Sequence, residues 1–258
     1  MMDLFSICGL PIKFDEEKGR FYFDEELTYE GEFTVALSEI IPILLNRSLK
    51  YPEIVYKYNK NIYTKSVGNI TPNISYDLMY IPFGLLGIEY VKTHVYFSNL
   101  VKNKFDCIIE VLHGELTVVM QKNKLKENDY EYDTQVDELT VVRLGKGNKL
   151  AIPTGFFYTF VNTGIGSLVL SKLSSPNWKP IDYSMLRKEK GLACYIISKN
   201  AKVETVANPK YKIEGIVEAI PYKKFLQLLS TDSALYDELS EDSLPLSQLI
   251  NKLVQLII

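Results

Sequence analysis

Histidine is nearly missing. The 258 residues hold two, His94 and His113, so a mononuclear metal site built mainly from imidazoles cannot be assembled from one chain. Cysteine is scarce as well: Cys8, Cys107 and Cys194 are odd in number, far apart and never in a C-x-x-C pair. That excludes a disulfide scaffold and a thiolate zinc site, and fits three reduced, buried thiols. Charge of one sign is lacking too. The formal net charge is −3, with no Lys/Arg cluster of the kind a nucleic-acid backbone requires, so no nucleic-acid partner is expected. No apolar run approaches the roughly 18–20 residues that span a bilayer. The opening MMDLFSICGLPIKFDEE has no basic start and turns acidic at once, unlike a signal peptide, so a cytoplasmic protein with no membrane partner is expected. No phosphate-cradling glycine loop occurs; GKGNK at 145–149 reads as a strand turn.

What is present is an ordinary globular balance, 47% hydrophobic and 24% charged. IKFDEEKGRFYF reads as a β-hairpin turning at Lys18-Gly19. EFTVALSEIIPILLNRSL suits a short helix interrupted near Pro42, and EIVYKYNKNIYT alternates as a strand. From about Ile74 to Ile197, short apolar or alternating runs are separated by Gly, Pro, Asn or charged turns, the texture of a sandwich or barrel. KNKLKENDYEYDTQVDE reads as a polar hairpin excursion. After residue 215 the texture is helical; Leu246, Leu249, Ile250, Leu253 and Ile257 form one apolar stripe. Three segments are expected: 1–52, a hairpin and helix packed on the barrel; 53–214, the barrel; 215–258, a helical extension.

Four ordered stretches carry a resemblance. YDLMYIPFGLLGIEYVKT, EVLHGELTVVMQ, LAIPTGFFYTFVNTG and DYSMLRKEKGLACYIISKNAKVETVANPKYK, within about 53–211, resemble the archaeal-type glucose-6-phosphate isomerases. These are cupins, so the resemblance implies an all-β double-stranded β-helix, or jelly-roll, barrel. It also implies one divalent metal held by three histidines and a glutamate, and isomerisation of glucose 6-phosphate to fructose 6-phosphate. Carried over in register, the ligand positions fall on Val95, Phe97, Cys107 and Tyr158, with His94 in place of a preceding glycine and Asp106 beside Cys107. Strand alternation is expected to turn Val95, Phe97, Cys107, Ile109, Tyr158 and Phe160 inward as an apolar lining. His94, Asp106 and Glu110 would then face outward and His113 would sit at a strand end. No metal or other cofactor is expected.

On the substrate side the resemblance implies roles for Lys92 and Thr93 near a phosphate and for Tyr183 in the pocket, while Met79 and Ile181 replace polar pocket residues. Isomerisation needs a base poised near neutral pH. If the chain is active, the candidates are Tyr158 and Cys107, whose unperturbed pKa values are about 10 and about 8.5. The leading expectation is a non-catalytic cupin that retains sugar-phosphate or other small-ligand binding. Two alternatives stay open: an isomerase or epimerase with a rearranged site, and an interaction subunit docking through its helical tail. A homodimer is expected, since cupin sheet edges need cover.

Overall fold

Alternation of β-branched and aromatic residues with polar ones gives the chain its strands, and the computed structural model describes them at residues 1–66, 74–97, 105–125, 132–174, 184–213, 219–221, 228–229, 234 and 236. In chain order the main elements are helix α1 (Phe5–Cys8), β1 (Ile12–Asp15), β2 (Arg20–Phe23), β3 (Gly31–Ala36), α2 (Leu37–Ile40), β4 (Ile54–Lys60), β5 (Ser75–Ile81), β6 (Glu89–Tyr90), β7 (Tyr96–Phe97) and β8 (Phe105–His113). They continue with β9 (Glu115–Leu125), β10 (Tyr132–Gly145), β11 (Lys149–Pro153), β12 (Phe157–Asn162), β13 (Leu168–Ser174), α3 (Ser184–Glu189), β14 (Cys194–Lys199) and β15 (Lys202–Ala207).

Among the described residues, one sheet runs in the order Leu228–Leu229, β11, β8, β13, β5, β4, β3. The sheet facing it runs β7, β12, β9, β10, with Lys212–Ile213 and Ala219–Pro221 added in parallel along β10. Sequence neighbours β8 and β9 lie in opposite sheets, and each pairs antiparallel with later strands. This is the jelly-roll of a cupin. The turn that carries the chain from β8 to β9 is Gly114, at φ +86°; a Cβ there would lie 2.4 Å from the Ser167 carbonyl oxygen. Only glycine combines that backbone angle with that approach.

Both faces of the first sheet are largely buried along β5, β8, β11 and β13. Its inner face meets the second sheet through Met79, Ile81, Ile109, Val111, Leu150 and Leu170, against Leu116, Val118, Phe160 and Leu144. Its outer face packs Tyr76, Leu78, Ile108, Leu112, Val169 and Leu173 against Leu4, Cys8, Ile12, Phe14, Phe21 and Leu27 from the N-terminal segment. The expected hairpin is β1–β2, turning through Gly19 at φ +55°.

Two expectations change. Residues 31–36 form β3 rather than helix, because Phe33 and Val35 pair with Tyr58 and Tyr56 on β4; the helix is confined to α2 and a 3-10 turn at Ile41–Ile43 containing Pro42. A boundary after residue 52 therefore cuts a hydrogen-bonded strand pair. After 215, the segments Ala219–Pro221 and Leu228–Leu229 are strands that cover the edges of β10 and β11. Tyr236 stacks edge-on against Tyr76 at 5.3 Å in the outer core. The apolar stripe at 246–257 lies outside the described residues. Among the described residues no helix is long and apolar enough to cross a membrane.

Candidate functional site

The register of the second sheet decides which side chains occupy the barrel. Tyr96 on β7 pairs with Tyr158 on β12, and Tyr158 with Met120 on β9, so these three share one face. Contacts identify that face as the interior. The Tyr158 hydroxyl lies 3.4 Å from Cys107 Sγ on the opposite sheet, and donates a hydrogen bond to Asp106 Oδ2. The Tyr96 and Tyr158 rings stack at 5.3 Å, with Phe160 at 5.7 Å from Tyr96 and 5.5 Å from Tyr158. Cys107, Ile109, Tyr158 and Phe160 thus point inward as expected.

Val95 and Phe97 do not. One residue of parity separates them from Tyr96, so they turn to the opposite face. Val95 lines a void of about 10 Å³ with Thr159, Val119, Cys194 and Ile196, between β12 and β14. Phe97 stacks on Phe157 at 4.4 Å. The inward positions on this strand belong to His94 and Tyr96.

The interior is also more polar at one end than an apolar lining allows. The Tyr56 hydroxyl lies 2.6 Å from His94 Nδ1 and 3.1 Å from the Tyr96 hydroxyl. Lys172 on β13 extends its Nζ to 4.6 Å from the Tyr96 ring centroid. Directly across the strand pair from Lys172 is Asp77, whose Oδ1 accepts from Ser75 Oγ at 2.5 Å and from the Asn61 amide at 3.0 Å. None of these was singled out from sequence except His94, and His94 was expected on the surface.

That expectation is corrected: His94 is buried, with Nε2 3.7 Å from a carboxylate oxygen of Glu39. Glu110, also expected outside, is buried on the outer face of the first sheet against Lys149 at 2.9 Å, because the N-terminal segment covers that face. Asp106 is only partly exposed and reaches Tyr158. His113 stays partly exposed near Glu16 at 4.0 Å, as a strand-end residue should.

Burial sets the protonation of the cluster. It pushes the Cys107 thiol up to about 12, the nearby Lys172 charge opposing and Asp106 reinforcing. It lifts the Tyr158 phenol well above its ordinary range, with Cys107 and Asp106 adding to the effect. Both are therefore neutral at pH 7. Burial also lowers the His94 pKa, and Glu39 acts weakly against it. The unfolded chain then takes up a proton first as pH falls. The contribution of neutral His94 to stability is full above 6.5, and is lost as pH drops from there toward the folded value. Chemical denaturation between pH 7 and pH 5 should show a steeper loss for the wild type than for His94→Gln. Equal slopes would remove His94 from the account.

Lys92 and Thr93, both expected to meet substrate, are already occupied. Lys92 is buried, with Nζ 2.5 Å from Glu89 Oε1 and donating to the Ile43 carbonyl at 2.9 Å. It is not a solvated strand-end lysine. Thr93 is fully buried; its Oγ1 donates to the His94 carbonyl at 2.9 Å and accepts from the Phe160 amide at 3.1 Å. Thr93 ties the segment to β12, and Lys92 ties it to Glu89 and the turn at Ile41–Ile43. Met79 packs in the inner core, and Tyr183 and Ile181 lie outside the described residues.

A divalent cation does not fit this interior. Among the described residues no group of three or more His, Cys, Asp or Glu side chains is placed to hold one. At the two carried-over positions that face the interior stand a protonated thiol and a protonated phenol, with an ammonium nearby; a hard or borderline cation requires carboxylate, imidazole or thiolate donors.

The model of the family described as Glucose-6-phosphate isomerase (GPI) matches residues 45–213. Similar solved structures include the Drosophila melanogaster CENP-C cupin domain, 17% identical over 46% of this chain and 68% of that one, TM-score 0.28. Bacillus subtilis oxalate decarboxylase is 12% identical, over 48% of this chain and 26% of that one, TM-score 0.32. Peruvianin-I from Thevetia peruviana latex is 18% identical over 42% of this chain, TM-score 0.29; the match spans 56% of its length. No curated protein sequence matches.

Proposed function

The chain belongs to the glucose-6-phosphate isomerase family, and from that premise we propose that it is a non-catalytic cupin whose barrel serves as a packed core rather than an active site. The observation that carries this reading is the state of Tyr158 and Cys107. Both are fully buried, both are held protonated at neutral pH, and each is engaged with the other. Moving a proton between adjacent sugar carbons needs a base with a pKa near 7 in reach of substrate. A phenol and a thiol shifted upward by burial are moved away from that value.

The phosphate-side residues support the same reading. Lys92 would have to leave Glu89, and Thr93 would have to leave the Phe160 amide, before either met a ligand. Each would expose a buried partner at a cost of about 1–3 kcal/mol. The role that remains is that of a binding or structural subunit, alone or joined to a second copy.

A coupled assay with glucose 6-phosphate and with fructose 6-phosphate, each with and without added Mn²⁺, Fe²⁺ or Zn²⁺, tests the proposal. Turnover at the background rate in every arm is expected. Turnover well above background that survives removal of metal would instead favour an isomerase with a rearranged, metal-free site.

A further inference from the structure

We propose that Lys172 is a resident cation of the barrel: its ammonium is the counter-charge of buried Asp77 and keeps divalent metal out of the sandwich. The placement comes from register and contact. Lys172 lies on β13 directly across from Asp77 on β5 and from Ile109 on β8, all on the interior row. Lys172 and Asp77 are each 1% exposed. The Lys172 Nζ stands over the Tyr96 ring, and Tyr96 stacks on Tyr158, whose hydroxyl joins Cys107 to Asp106. Buried Asp77 is thus the cross-strand neighbour of Lys172, and partly exposed Asp106 is linked to the same cluster only through Tyr158 and Tyr96.

Charge survives in an interior only when opposite charge is close. The ammonium supplies what a metal would otherwise supply to acidic groups in this space. It also repels a divalent ion at short range, where a low-dielectric surrounding strengthens the effect. The Tyr96 ring adds a cation–π contact that holds the amine toward the second sheet. Cys107 registers the same field, with Lys172 lowering its pKa while Asp106 and Asp77 raise it.

The inference stands apart from the non-catalytic reading: a metal-free isomerase would satisfy it, and a metal-dependent one would not. The first test is elemental analysis of purified wild-type protein after incubation with Mn²⁺, Fe²⁺ or Zn²⁺ and desalting, together with thermal melts in each metal. No stoichiometric metal and no rise in Tm are expected; one ion per chain held inside the barrel overturns the proposal. The second compares Lys172→Met with Lys172→Met/Asp77→Asn. The single variant should lose roughly 10 °C or more in Tm because a buried carboxylate loses its counter-charge, and the double variant should regain much of it. A single variant as stable as wild type, or a double variant no better than the single, overturns the proposal. If the single variant does not fold, recovery of folding in the double variant supports it and metal uptake by wild type still defeats it.

Discussion

Lys149→Met should destabilise the fold by about 3–5 kcal/mol, because it removes the counter-charge 2.9 Å from a Glu110 carboxylate that is 2% exposed. The two side chains are 3% and 2% exposed and lie 2.9 Å apart on adjacent strands β11 and β8. Their face of the first sheet is covered by the N-terminal segment, and the strand at Leu228–Leu229 pairs along the edge of β11. Urea unfolding should move the midpoint down sharply for Lys149→Met, and should move it much less for Lys149→Met/Glu110→Leu, since the double variant buries no charge. If Lys149→Met costs less than about 1 kcal/mol, the pair behaves like a solvated surface bridge and the outer core is not closed.

Tyr158 separates a packing role from a chemical one. Tyr158→Ala removes a fully buried ring that stacks on Tyr96 and packs on Phe160, and should cost about 3–5 kcal/mol. Tyr158→Phe keeps the ring and removes only the hydroxyl shared between Asp106 and Cys107, and should cost about 0.5–1.5 kcal/mol. Denaturant midpoints of the two variants measure both effects. A catalytic phenol would give the reverse pattern: Tyr158→Phe nearly neutral for folding and strongly deleterious for sugar-phosphate turnover.

Much of the architecture was legible because it rests on local chemistry. The β1–β2 hairpin announces itself through alternating apolar residues around Lys18-Gly19. The long run of short strands between 74 and 197 requires a two-sheet solution. Strand β3 is hidden in the sequence because EFTVALSEIIPIL mixes a period of two with a helical continuation, and pairing with β4 wins over residues 31–36.

The interior departs from the sequence expectation for a related reason. A β-strand has no tolerance for a shift of one residue, and the segment 92–97 sits one position out of phase with the register that the resemblance implies. That exchanged Val95 and Phe97 for His94 and Tyr96, and turned a hydrogen-bonded cluster into an apparent apolar lining. Asp77 and Lys172 offered a signal of their own. Each is the lone charge in an apolar strand, in YDLMYI and LVLSKL, where a charge on the buried parity must have a partner. Lys149 in KLAIP carries the same signature, whereas Glu110 shares its strand with Asp106; for both, the burial depends on the N-terminal segment covering the outer face, a long-range fact that no local pattern contains.

A barrel that serves as a packed core is closed to small solutes at neutral pH. The reactivity of Cys107 measures this directly. Iodoacetamide labelling near pH 8, mapped by mass spectrometry, should leave Cys107 unmodified in the folded protein, and its slow modification should track global unfolding across a urea series. Labelling of Cys107 in the native protein at the rate of an exposed thiol, slowed by glucose 6-phosphate, would contradict a packed core and restore the barrel as a ligand site.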